Sequence, residues 1–236
     1  MRFRSVDTLK RDANRVLRAY WKLPDAQKTP RRIQPELLVT ELLRLKVDYR
    51  HLSEDGWTLG LTSFDETGVA VFGSETEDMY LLDGNTILIE KDLLLPKARM
   101  RCNYTLMHEG CHHILNRFHP GECSGGSSAR RVVRYRTAGQ NAKSREEWQA
   151  NQLTSLILMP KPLLLDNMHF CDIDGPIPML NPIWRAEDYS KFSLLADLMG
   201  VSRQAMSIRM KRLDLIGEDC TRYPNAILDI ECEEEL

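Results

Sequence analysis

The chain has 236 residues, of which 42% are hydrophobic and 28% charged, and its net charge is −2. This composition is typical of a soluble globular protein, and the length allows a sizeable core. No apolar run approaches the roughly 18–20 residues that span a bilayer, and the N-terminus lacks the apolar centre of a secretory signal. The six cysteines include no Cys-x-x-Cys pair, so we expect reduced thiols, a cytoplasmic location and no membrane partner.

Charge is distributed unevenly along the chain. Residues 1–32 contain ten Lys or Arg against three Asp, whereas residues 229–236 at the end are acidic. A basic segment of this kind can contact nucleic acid or an acidic partner, and it can equally be the solvated face of a helix. Apolar residues at helical spacing predict an amphipathic helix over residues 5–20. Three prolines in the segment Pro24–Pro35 then predict a linker.

The middle of the chain mixes strand-like runs with helical segments. A helix is predicted over Glu36–Leu45, and four short strands follow, with a turn at Asp83-Gly84-Asn85 before the last of them. The predicted strands are Trp57–Leu61, Val69–Phe72, Met79–Leu82 and Thr86–Glu90. Helical spacing returns over residues 98–117. A Gly- and Ser-rich loop over His119–Ser128 and a basic stretch over Arg130–Arg136 come next.

The last third of the chain is mostly helical in pattern. A helix is predicted to begin near Ser144, where Glu147 completes a capping box, and to end at Pro160. Residues 170–186 contain three prolines and are predicted to be irregular. Two further helices are predicted over residues 190–199 and 203–214.

The most informative segment is His108-Glu109-Gly110-Cys111-His112, which lies within the predicted helix 98–117. Residues four apart lie about one turn apart on one face of a helix, so the two imidazoles can bind the same tetrahedral Zn²⁺. Glu109 would then flank the metal and act as the general base on a bound water. Two alternatives stay open, namely a chance occurrence of the motif and a purely structural metal.

A third ligand is needed, and a carboxylate would leave the fourth position open for water. Glu147 is favoured, with His119 and the neighbouring Glu146 as alternatives. The metzincin pattern requires glycine at 115 and histidine at 118, and the chain has leucine and phenylalanine there. Asn151 follows Glu147 at i+4 on the same helix face, where it is expected to orient His108.

These two helices resemble those of the ImmA/IrrE zinc metallopeptidases. The resemblance rests on Arg101–Leu115, which contains the two histidines, and on Glu147–Pro160, which is similar to the family's E-x-x-A-N helix ending in Met-Pro. Weaker similarity extends over residues 36–217. The resemblance implies a peptidase that cleaves a helix-turn-helix repressor of a mobile element or stress response. It also implies a strand before the first metal helix, here Asn85–Glu90.

The chain departs from this family between the two histidine ligands, where it has Gly110 and Cys111. Glycine inside a helix costs about 1 kcal/mol relative to alanine. The Cys111 thiol either perturbs the metal or packs as a small apolar group, and His113 is expected to be structural. The basic loop between the metal helices can collect an acidic substrate, cover the site or simply be solvated. Its Cys123 is a further candidate zinc ligand.

Residues 193–213 also fit a helix-turn-helix, which supports a second hypothesis of a DNA-binding regulator with a structural or vestigial metal site. The turn would use Ala196, Gly200 and Val201, and Ser202 would cap the second helix. The predicted outward face of that helix consists of Arg203, Gln204, Ser207 and Lys211. Its predicted buried residues are Met206, Met210 and Leu213.

Taken together, the patterns predict an α+β protein with a gluzincin-like metallopeptidase core. A small twisted sheet is expected to pack on the metal helices, followed by a helical, helix-turn-helix-like C-terminal portion. The predicted domains are a basic helical arm and linker over 1–35, a zinc metallopeptidase core over 36–186, and a C-terminal segment with an acidic tail over 187–236. The predicted site has the ligands His108, His112 and Glu147, the base Glu109, and Asn151 behind the ligands.

Overall fold

The structure, a computed structural model, describes residues 4–73, 77–120, 133–137 and 145–225. The fold is α+β, as predicted. Its α-helices are α1 Val6–Tyr20, α2 Pro35–Leu37, α3 Arg99–Phe118, α4 Arg145–Leu158, α5 Lys161–Phe170, α6 Ala186–Met199 and α7 Arg203–Lys211. Within the described ranges, no helix has the length and apolar character needed to cross a membrane.

The strands form a four-stranded sheet and two smaller pairs. They are β1 Lys46–Arg50, β2 Thr58–Ser63, β3 Glu66–Phe72, β4 Glu77–Asp83, β5 Thr86–Glu90, β6 Val133–Thr137, β7 Ile177–Leu180 and β8 Ile216–Asp219. The large sheet has the order β1-β5-β2-β6, while β3 pairs with β4 and β7 with β8. In the large sheet β1 is parallel to β5, and β2 is antiparallel to both β5 and β6. The four predicted strands are confirmed, β5 with the predicted bounds and β2, β3 and β4 with shifted or longer ones, whereas β1, β6, β7 and β8 were not predicted.

The turn at Asp83-Gly84-Asn85 is confirmed, although the strands on either side of it belong to different sheets. Gly84 has φ +73°, and the Asp83 carboxylate accepts hydrogen bonds from the Asn85 N–H at 2.9 Å and the Thr86 hydroxyl at 2.8 Å. Burial explains the separation of the two strands, because every residue of β5 is buried. A strand buried on both faces belongs in the centre of a sheet.

The chain folds into two compact units, residues 1–158 and residues 159–236. This division does not coincide with the predicted boundaries after residues 35 and 186, because α1 packs on α4 within the first unit. The predicted linker is also packed, since Ala26 and Ile33 are buried and the Tyr20 hydroxyl accepts a hydrogen bond from the Gln34 N–H at 3.0 Å. The basic residues of α1 therefore line the outside of a helix whose apolar face is buried.

The helix predicted over Glu36–Leu45 is present in a shorter and distorted form. It begins at Pro35 and continues from Leu38 to Leu42 as a π-helical turn. This segment packs on α3 so closely that a Cβ at Gly110 would lie 3.0 Å from Val39 Cγ2. Gly110 thus allows the close approach of another element, which accounts for a glycine inside the metal helix.

The second unit contains α5–α7 and the parallel pair of β7 and β8. The helices predicted at 190–199 and 203–214 are confirmed with shifted bounds, and α5 was not predicted. The segment 170–186 was predicted to be irregular, yet it contains β7. Short strands of this kind depend on a partner that is distant in sequence, here β8, so local patterns do not reveal them.

Candidate metal centre

His108, His112 and Glu147 bring one side-chain ligand atom each to a common point between α3 and α4. The His108 Nε2 atom lies 3.1 Å from Glu147 Oε2, and the His112 Nε2 atom lies 3.3 Å from Glu147 Oε1. The two Nε2 atoms are 3.2 Å apart. Both histidines are buried, and the Glu147 side chain is 25% exposed, so the cluster is open to solvent on the carboxylate side.

These separations fit a tetrahedral metal. Zinc–nitrogen and zinc–oxygen bonds of about 2.0–2.1 Å place neighbouring tetrahedral ligands about 3.3 Å apart. The separation of 3.2 Å between the two imidazole nitrogens matches this spacing, and each nitrogen has one of the two Glu147 oxygens at 3.1 or 3.3 Å. Two imidazole nitrogens and one carboxylate oxygen are also a donor set that zinc accepts, with one position left for water. The residues present therefore fit the ion.

Electrostatics favour the ionised form of Glu147. Burial raises the pKa of its carboxyl group, but hydrogen bonds and charge interactions with His108 and His112 outweigh burial and hold the pKa well below its usual range. A carboxylate with a lowered pKa is anionic at neutral pH. Glu147 is therefore available as a negatively charged ligand without first losing a proton.

Glu109 is completely buried on the side of α3 that faces the large sheet. Opposite it, Gly60 in β2 has no side chain, and a Cβ there would lie 3.0 Å from Glu109 Cγ and Oε1 and 2.8 Å from Thr105 Cγ2. The glutamate thus occupies space that any other residue at 60 would fill. Gly60 was not among the predicted site residues, although a glycine inside a strand pattern is the usual sign of such a close approach.

We expect Gly60→Ala to lower the free energy of unfolding by about 1–3 kcal/mol, because the added methyl group must displace Thr105 or Glu109. The matched control is Gly68→Ala in β3, whose Cβ would meet only the Met79 methyl at 2.7 Å. Met79 is 74% exposed and can move away, so a change within about 0.5 kcal/mol is expected. Urea unfolding of both variants measures the difference. Equal effects of the two substitutions would contradict a tight contact at Gly60.

The alternative ligands lie elsewhere. His119 pairs with Asp12, with 3.0 Å between His119 Nε2 and Asp12 Oδ2, and Glu146 is not part of the cluster. Cys111 is fully buried, and burial raises the pKa of its thiol to about 12. This makes it a packed apolar group that disfavours the thiolate form.

Asn151 lies beside Tyr104, whose hydroxyl is 3.5 Å from Asn151 Oδ1.

His113 has the structural position expected of it. Its Nε2 atom shares a hydrogen bond of 2.6 Å with the Thr62 hydroxyl of β2. Burial, together with Arg117 and His112, lowers the pKa of His113 to about 3. A neutral histidine bonded to a strand ties α3 to the sheet, which helps to fix the orientation of the metal residues on the same helix.

A second group with ligand-type side chains consists of His51, Glu90 and Asp92. Here the Glu90 carboxylate accepts hydrogen bonds from the Leu52 N–H at 2.8 Å and the Asp92 N–H at 3.5 Å. It also lies 2.8 Å from His51 Nδ1. Both oxygens of the Glu90 carboxylate therefore already bind protein groups at the end of β5. The three side chains thus have a structural role, which is to hold the turn that follows the strand.

The second unit contains the two predicted helices, α6 and α7, joined by a short turn. Gly200 ends α6 with φ 68°, and the Ser202 hydroxyl accepts a hydrogen bond from the Ala205 N–H at 3.2 Å. Met206 and Met210 are buried as predicted, and Leu213 is partly exposed. The prediction for Ser207 was wrong: its side chain is buried and donates a hydrogen bond to the Asp219 carboxylate of β8.

Some predicted features lie outside the described residues. They are the cap at Ser144, the candidate ligand Cys123, most of the loop 119–145 and the acidic tail. In the described part of that loop, the basic stretch contains β6, which pairs with β2. The connection between the metal helices was predicted to be a basic loop, and it contains a strand over Val133–Thr137. None of the four described cysteines forms a disulfide.

No model of a known protein family matches the chain, and a search of characterised proteins gave no significant match. The resemblance to ImmA/IrrE peptidases therefore stays a prediction from the sequence. The established findings are an α+β fold and a three-residue group that can hold a metal ion.

Proposed function

We propose that the chain is a zinc-dependent endopeptidase that hydrolyses a peptide bond in a protein substrate. The observation that carries the proposal is the His108–His112–Glu147 cluster, whose ligand atoms lie 3.1–3.3 Å apart and which is flanked in the chain by the buried Glu109. Three protein ligands and an open position are typical of catalytic zinc, whereas structural zinc usually has four protein ligands. The gluzincin-like core and the ImmA/IrrE relationship belong to the same proposal.

In this mechanism His108, His112 and Glu147 would hold the metal. When bound, zinc would supply a Lewis acid that lowers the pKa of water towards neutrality. Glu109 would take a proton from the attacking water and pass it to the nitrogen of the leaving amine. The carbon–nitrogen bond breaks, and the water is divided between a new carboxylate and a new amine. Asn151 remains a proposed orienting residue behind the ligands.

The substrate that we propose is a helix-turn-helix transcriptional repressor of a mobile element or stress response. The test is to incubate the zinc-loaded chain with small helix-turn-helix proteins encoded beside its gene, and in parallel with an unstructured peptide library. Mass spectrometry should find zinc-dependent products cut at a defined bond. A folded, zinc-loaded chain that cuts neither the proteins nor the library would count against the peptidase proposal.

A second candidate function, DNA binding, is supported by the surface of α7. Arg203, Gln204 and Lys211 are exposed, and together with Arg222 they line a cavity of about 510 Å³. Cations on the second helix of a helix-turn-helix are suited to contact DNA in the major groove. Under this hypothesis the protein should shift duplex DNA in a salt-dependent way, and Arg203→Ala with Lys211→Ala should abolish the shift. The metal geometry supports the peptidase more directly.

A further inference from the structure

The strand β6 occupies a distinctive position in the chain and in the sheet. It belongs to the connection between α3 and α4, the two helices that provide the metal residues. It pairs antiparallel with β2 and is the outermost strand of the large sheet. The pairing runs from Ser63 opposite Val133 to Thr58 opposite Thr137. A segment from between the metal helices thus covers one whole edge of β2.

The strand that β6 covers is the one in contact with the proposed general base. The helix α3 packs on β5 and β2, and Glu109 lies against Gly60 of β2. On its other side β2 is paired with β5, which is paired in turn with β1. Among the described strands, the outer edge of β2 is therefore taken by β6 alone. The register places Arg136 opposite Gly60, so β6 runs alongside the point where the sheet meets Glu109.

An uncovered sheet edge binds extended peptides, because its free N–H and C=O groups pair with the main chain of an added strand. Building on the peptidase function proposed above, we infer that β6 is an internal occupant of the peptide-binding edge of β2. It keeps an extended substrate segment away from Glu109 and the metal until it is displaced. The sequence Val-Arg-Tyr-Arg-Thr suits this role, since β-branched and aromatic residues favour strands.

The first test is to remove the strand without shortening the chain. Val133–Thr137 is replaced by five Gly and Ser residues, and a second variant, Tyr135→Pro, blocks pairing by a single change. Both zinc-loaded variants should cleave an unstructured peptide library about tenfold faster than the unaltered chain, since an internal strand competes at an effective concentration near millimolar. Arg134→Thr with Arg136→Thr keeps strand-forming residues and should give a rate within about twofold of the unaltered chain. Unchanged or lower rates in both strand-breaking variants overturn the inference.

The second test measures binding and does not depend on hydrolysis. Each chain also contains Glu109→Gln, and a fluorescent peptide of sequence Val-Arg-Tyr-Arg-Thr is titrated into it. The chain with the Gly-Ser replacement should bind the peptide about tenfold more tightly than the chain that keeps β6. The same peptide with proline in place of tyrosine should not bind. Equal binding to both chains, or none to either, overturns the inference. A third outcome is also informative: the peptide binds as expected, but no chain that keeps Glu109 cleaves any substrate. This result would support the assignment of the edge to β6 and would count only against the peptidase function.

Discussion

Glu109→Gln should abolish peptide hydrolysis and leave zinc content and fold intact. Glutamine has nearly the same shape as glutamate, so it fits the space opposite Gly60, but its amide cannot accept the proton of the attacking water. Loss of a general base lowers the rate by about 10²–10⁴-fold, and we expect about 10³-fold in kcat. The measurement combines steady-state cleavage of a library-derived peptide with metal analysis of the same preparation.

The matched control is Glu146→Gln, which removes a carboxylate from α4 outside the metal cluster. This variant should keep both the zinc and the cleavage rate. If Glu109→Gln retains the rate of the unaltered chain, another group is the base. If it loses zinc as well as activity, the residue acts through the metal and the role proposed for it is wrong.

Glu147→Ala should remove most of the zinc. Structural zinc sites provide about 10–16 kcal/mol of binding free energy, so one ligand contributes roughly 3–4 kcal/mol, and its loss weakens binding by about 10²–10³-fold. Competition with a chelator of known affinity measures this change. The loss should be specific to Glu147, because its carboxylate oxygens lie 3.1 and 3.3 Å from the two imidazole nitrogens.

Two further variants test whether Glu147 is the third zinc ligand. Glu146→Ala and His119→Ala change the other residues that the sequence allowed as ligands, and His119 is already paired with Asp12. Both should retain zinc affinity within about threefold, since neither side chain belongs to the cluster. If Glu146→Ala or His119→Ala loses zinc while Glu147→Ala keeps it, the third ligand is the residue changed in the variant that loses zinc.

The sequence allowed the metal cluster to be predicted because its information is local. His108 and His112 share a face of one helix, and Glu147 begins a second helix whose boundary is marked by Pro160. Spacing on a helix is nearly independent of the rest of the fold. The structure brings the three side chains together, while their roles in catalysis stay predictions.

Features that depend on distant pairing were not predictable in the same way. The strand β1 alternates polar and apolar residues over only five positions, and its partner β5 lies 40 residues further along the chain. The strand β6 sits in a basic stretch whose composition indicates a loop, and only its pairing with β2 reveals it. Strand propensity reflects neighbours more than the segment itself, so such elements need the tertiary structure.

Gly60 and Gly110 illustrate the same limit at the level of single residues. Each permits a close approach that involves another element, β2 against α3 in the first case and the Leu38–Leu42 turn against α3 in the second. The sequence shows a glycine in each place but does not say what approaches it. For Gly110 the structure supplies the reason why the metal helix contains this residue at all.

A zinc titration of metal-free protein, with peptide cleavage followed in parallel, tests whether the cluster is a catalytic zinc site. A single site formed by His108, His112 and Glu147 predicts that cleavage rises linearly with added zinc and stops at about one equivalent per chain. The same titration of Glu109→Gln should show zinc binding with the same end point and no cleavage. Cleavage that is independent of zinc, or full zinc binding by the unaltered chain without any cleavage, would rule out a zinc peptidase.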